Sequence, residues 1–85
     1  MDTIHVLITH VAYDPEAYVT VFRTRQGVIN YLMDYIQLWH EDHGTDDPDE
    51  IEKEKKKMKQ DILEKGSWSP GDWAEFFYVE KEILE

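Results

Sequence analysis

The sequence predicts a small α+β domain of order ββααβ, a three-stranded antiparallel sheet packed by two helices. Three observations carry that expectation. Apolar residues alternate near the N-terminus, two central stretches have helical periodicity, and an aromatic, β-favouring run lies near the C-terminus. With 85 residues, of which 41% are hydrophobic and 13% aromatic, the chain is expected to form one domain over residues 1–85 around one core.

Ile4, Val6 and Ile8 alternate with His5, Leu7 and Thr9, so residues 3–12 read as a strand. Tyr13-Asp14-Pro15-Glu16 is turn chemistry: Pro15 fixes φ and the Asp14 carboxylate is placed to accept from the backbone beyond it. Residues 18–23 are again β-branched and aromatic, so the two runs are expected to pair as a hairpin.

Thr24 is an N-cap for a helix from Arg25, whose apolar stripe runs Ile29, Leu32, Met33, Ile36, Trp39, His40 and His43 until Gly44 supplies a stop. Val28, Tyr31, Tyr35 and Leu38 widen that stripe enough to meet both a sheet and a second helix. Asp47-Pro48-Asp49-Glu50 then reads as a cap, a first-turn proline and a capping-box acid. The second helix is expected to run to about Lys65 and to be closed by Gly66. Its apolar seam is thin, Ile51, Met58, Ile62 and Leu63 with the stem of Lys55, and the pairs Asp49–Lys53 and Glu52–Lys56 stand at i, i+4 spacing. Residues 66–72 read as a loop, and residues 73–84, with Phe76-Phe77-Tyr78-Val79 at their centre, as the last strand.

Charge narrows the function classes. Nineteen acids against nine bases leave a net charge of −10, which repels nucleic-acid backbones and favours a protein partner with a basic surface, so direct nucleic-acid binding is not expected. The imbalance is uneven: residues 1–47 carry −6, residues 48–65 carry zero, and residues 66–85 carry −4. No apolar run reaches the roughly 20 residues of a membrane span, and the absence of cysteine suits a reducing cytoplasm while removing thiol nucleophiles and thiolate metal sites. A cytoplasmic protein without membrane contact is the expectation.

The chain offers little catalytic chemistry. Ser67 and Ser69 are its only serines, neither in a nucleophile elbow, and there is no phosphate-binding glycine loop. His5 and His10, five apart on a strand, point to opposite faces. His40 and His43 lie one turn apart near Asp46 and Asp47, but without a metalloprotease or calcium-loop spacing, and they fit a polar helix end beside the negative pole of the helix dipole. No catalytic residue, metal or cofactor is expected.

Binding is the remaining class. Glu41, Asp42, Asp46, Asp47, Asp49 and Glu50 place six acids in ten residues without a base, and a cluster of this kind on an ordered turn imitates part of a phosphate backbone. The lysines from Lys53 to Lys59 argue against mimicry over the whole surface. Trp68, beside Pro70-Gly71, is either an interface anchor or a lid on the core. Both faces of the last strand are apolar, and one helical layer covers only one of them. A two-fold homodimer or a partner is therefore expected on the other, with Phe77 or Tyr78 near its centre.

These features lead to the expectation of a non-enzymatic acidic protein-binding module. By size and charge it is akin to the short inhibitors that phages direct at nucleic-acid-handling defences, anti-CRISPR proteins and partial nucleic-acid mimics among them. A structural or regulatory homo-oligomer is the second reading and a small metal-binding protein the third.

Overall fold

A computed structural model describes residues 2–12, 14–44, 47–71 and 73–83. Their elements run β1 (Asp2–Val11), β2 (Ala17–Phe22), α1 (Arg25–Asp42), α2 (Pro48–Lys65), β3 (Ser67–Gly71) and β4 (Ala74–Ile83). The class is α+β with two helices, as the sequence predicts. The sheet, however, has four antiparallel strands rather than three, in the order β2-β1-β4-β3, so the element order is ββααββ.

The extra strand occupies most of the segment expected to be a loop. Ser, Pro and Gly are poor strand formers, but backbone pairing to a neighbour does not depend on side-chain propensity. Pro70 has no N–H to offer a ladder, and it is accommodated because β3 lies at the sheet edge with a register shift between Trp68 and Gly71. The turn into β3 begins at Gly66, whose left-handed φ of 72° ends α2. Its carbonyl then accepts the Tyr78 N–H at 2.8 Å, which starts the pairing with β4.

Both helix starts follow their sequence signals. The Thr24 side chain accepts the Gly27 N–H, and the Asp47 carboxylate accepts from Asp49 and Glu50 ahead of Pro48. The i, i+4 ion pair within reach on α2 is Asp61–Lys65 at 3.5 Å; the expected Asp49–Lys53 and Glu52–Lys56 pairs do not close, as befits exposed side chains for which such pairs gain little.

One layer of helices lies on one face of the sheet, and the molecule measures 47 × 29 × 19 Å. Leu7, Trp68, Ala74 and Phe76 face inward from the strands to meet Val28, Ile29, Leu32 and Ile36 of α1 and Ile51, Met58 and Ile62 of α2. Within the described residues no helix is long and apolar enough to cross a membrane.

Candidate functional site

Strand alternation sorts the sheet into two faces. Odd positions of β1 and even positions of β2 and β4 point toward the helices. Even positions of β1 and odd positions of β2 and β4 form the outer face, which no element among the described residues covers. The register stacks this face into two adjacent cross-strand rows, Val19–Ile8–Phe77 and Val21–Val6–Val79. Val19 is 63% exposed, Val21 58%, Val79 41% and Phe77 39%. Beyond one end of the rows lie His10 and Glu75, and beyond the other Ile4 and Lys81. A β-branched, aromatic surface three strands wide, without a charge inside it, is suited to pack against another sheet or an apolar protein surface.

The aromatics divide by parity. Phe77 is on the outer face as expected. Tyr78 is on the helix side and is therefore not a centre of the open face. His5 and Tyr78, with Arg25 from the first turn of α1 and Glu80 of β4, form a hydrogen-bonded cluster. Tyr78 Oη donates to Glu80 Oε1 at 2.6 Å, and the same oxygen accepts Arg25 Nε and Nη2 at 3.0 and 2.6 Å. The phenol proton being committed, His5 Nδ1, 2.7 Å from Tyr78 Oη, is the donor in that bond. The Tyr78 hydroxyl and then Arg25 hold the Glu80 carboxyl below its ordinary range, and partial burial, then Glu80, pushes the Tyr78 phenol up. The four side chains bond to one another through Tyr78 Oη and Glu80 Oε1, which suits a clasp between the start of α1 and the sheet.

Trp68 is 4% exposed and stacks on Phe76 at 5.5 Å, so it belongs to the core and offers no surface for a partner. Loop composition had left both roles open; the pairing of β3 with β4 turns the indole inward. His5 and His10 do lie on opposite faces, His5 inward and His10 exposed. His40 and His43 have separate roles. His40 is buried and its Nε2 bonds to Glu54 of α2, while His43 stacks on Trp39 at 4.1 Å and bonds to the Trp39 carbonyl. Among the described residues no three His, Asp or Glu side chains converge in metal-holding geometry.

The acids at the helix turn are exposed: Glu41 and Asp42 end α1, Asp47 caps α2, and Asp49 and Glu50 occupy its first turn. Asp46 lies outside the described residues. Folding adds acids that the linear run did not include. The Ala12 N–H donates to the Trp73 carbonyl at 2.7 Å, joining the β1–β2 turn to the β3–β4 turn, and Trp73 stacks on Tyr35 and Trp39 of α1. The two strand turns and the end of α1 that leads into the helix turn are therefore brought to the same end of the sheet. Asp14 and Glu16 join Glu41, Asp42, Asp47, Asp49 and Glu50 there, and residues 10–18 and 37–50 contain no Lys or Arg. Asp14 also organises its own turn: its carboxylate accepts the Glu16 N–H and the Tyr18 hydroxyl, which together lower its pKa.

A shallow groove of about 240 Å³ runs between α2 and β3, lined by Asp61, Lys65, Ser67, Ser69, Glu75 and Phe77 among others. Lys65 is paired to Asp61, and the Ser69 hydroxyl lies 2.6 and 2.7 Å from the carbonyls of Gly71 and Ala74. A hydroxyl held on carbonyls, with no base among its hydrogen-bond partners in the described residues, is not an activated nucleophile. Comparison with known protein families, with curated proteins and with solved structures finds no match to this chain.

Proposed function

We propose that this chain is a non-enzymatic protein-binding module whose docking surface is the outer face of its sheet. The observation that carries the reading is the pair of apolar rows, Val19–Ile8–Phe77 and Val21–Val6–Val79, left open on a domain whose helices pack on the other face. The groups that would have to do chemistry are engaged otherwise: His5, Tyr78, Glu80 and Arg25 bond to one another, and Ser69 is held by backbone carbonyls.

A second surface favours a second contact. The acidic end, assembled from three turns, suits a basic surface such as the nucleic-acid groove of a nucleic-acid-handling protein, which it would occlude by charge. Affinity capture with three baits separates the two contacts: the native chain, an outer-face variant (Val6→Thr with Val79→Thr), and an end variant (Asp42→Asn, Asp47→Asn and Asp49→Asn). Outer-face substitutions are expected to remove apolar contacts irrespective of salt, and end substitutions to remove a basic protein held only at low salt. Identical capture by all three baits refutes the proposal.

A further inference from the structure

From the arrangement of charge around the open face, we infer that its occupant is a second copy of this chain, packed sheet to sheet about a two-fold axis that lies between the sheets and runs perpendicular to the strands. This rests on the outer face being the docking surface. An axis at the level of Leu7 and Tyr78 exchanges the two apolar rows, so Val19–Ile8–Phe77 of one copy covers Val21–Val6–Val79 of the other. It also exchanges the ends of β4. Glu75 then lies over Lys81 of the second copy, and Lys81 over its Glu75. Both are exposed, and neither has an ion-pair partner among the described residues.

The competing two-fold axes fail on charge. An axis along β4 sets Glu75 over Glu75 and Lys81 over Lys81. Any axis parallel to the strands also brings both acidic ends to the same end of the dimer, although each chain carries a net charge of −10. The perpendicular axis sends those ends to opposite poles, leaving each free for a basic partner.

The product is a four-layer sandwich, helices outside and two sheets about 10 Å apart inside, with strand directions crossed by about 30° through sheet twist. Between Cα positions the contacting rows span about 10 Å across three strands and about 7 Å along them at ordinary strand spacing. That is small against the roughly 1,200 Å² of a stable interface, so association is expected to be weak and reversible.

Sedimentation equilibrium of the native chain, from about 1 μM to about 1 mM, measures it. The mean mass is expected to rise from one chain toward two. Val6→Thr with Val79→Thr, which preserves strand-forming side chains, should raise the dissociation constant by about tenfold or more with an unchanged circular dichroism spectrum. Glu75→Lys or Lys81→Glu alone should raise it about threefold to tenfold, and the two together should restore it to within about twofold of native. A monomer throughout the range, a dimer indifferent to the Thr substitutions, or charge reversals that do not rescue one another would each overturn the inference. A monomer whose outer-face variant also loses a captured protein would keep the docking surface and reject only the second copy as its occupant.

Discussion

At the scale of single residues, hydrogen-bond partners decide what each titratable group does. Tyr35 is packed between Trp73 and Phe76, and burial, followed by the nearby Tyr31 and Glu54, pushes its phenol up to about 12. A raised phenol favours the neutral form in the fold. The corresponding stability is therefore complete below about pH 10 and is lost as pH rises from there toward 12. Ultraviolet titration should find one of the five tyrosines ionising last, and Tyr35→Phe should remove that step and flatten the alkaline decline. Glu80 has the opposite sign: its lowered pKa contributes stability above its ordinary 4.5 that is lost as pH falls. Tyr78→Phe should lower the melting temperature at pH 7, and that difference should shrink in melts carried out below pH 4.5. His40 is a third case. With Nε2 on a carboxylate that only accepts, the ring donates there, and Nδ1 is buried without a partner among the described residues. Glu54→Ala would leave both ring nitrogens unsatisfied and should cost about 1–3 kcal/mol in urea unfolding, whereas Glu54→Gln retains an acceptor and should recover most of it.

At the scale of elements, α2 is held by its seam and positioned by its two ends. Ile51, Met58 and Ile62 are buried, but Leu63, expected to share the seam, is 45% exposed. Asp47 and Gly66 fix where the helix begins and stops, and the Gly66 turn also delivers the chain to β4. Gly66→Ala imposes a Cβ at φ 72° and should destabilise by about 1–2 kcal/mol, with β3 losing amide protection first in hydrogen exchange. Strand β3 is the element that propensity misses, because its pairing comes from β4 and its inward residue is the large indole of Trp68, which stacks on Phe76. Phe76→Ala should cost about 3–5 kcal/mol, since a ring 1% exposed leaves a cavity under both Trp68 and Tyr35.

At the scale of the whole molecule, the fold separates apolar attraction from charge. The open sheet face carries no charge within its two rows, while the acids collect at the end to which the two strand turns and the end of α1 are brought. This division predicts opposite salt responses. Self-association through the sheet face should change little between about 0.05 and 0.5 M salt, because screening weakens the Glu75–Lys81 pairs and the repulsion between two chains of net charge −10 together, whereas binding of a basic protein at the acidic end should weaken steeply over that range. The end variant with three Asp→Asn substitutions should lose the salt-sensitive contact while melting close to the native temperature, because Asn caps a helix about as well as Asp at position 47.

The sequence by itself determined the class, both helices with their caps, the β1–β2 hairpin and the apolar excess of the last strand. These are local matters of periodicity, turn chemistry and capping, written within a few residues of where they act. Tertiary structure alone decided that Ser67–Gly71 is a strand, since edge pairing draws on a neighbour's backbone and not on the propensity of Ser, Pro and Gly. Register likewise decided that Phe77 faces out while Tyr78 joins His5 and Glu80, and that Trp68 is core. The acidic run at residues 41–50 was legible as a string of like charges, but the addition of Asp14 and Glu16 was not. Those residues are remote in sequence and meet the helix turn only because antiparallel strands and helices return the chain to the same end of the molecule, where Trp73 ties the strand turns to α1.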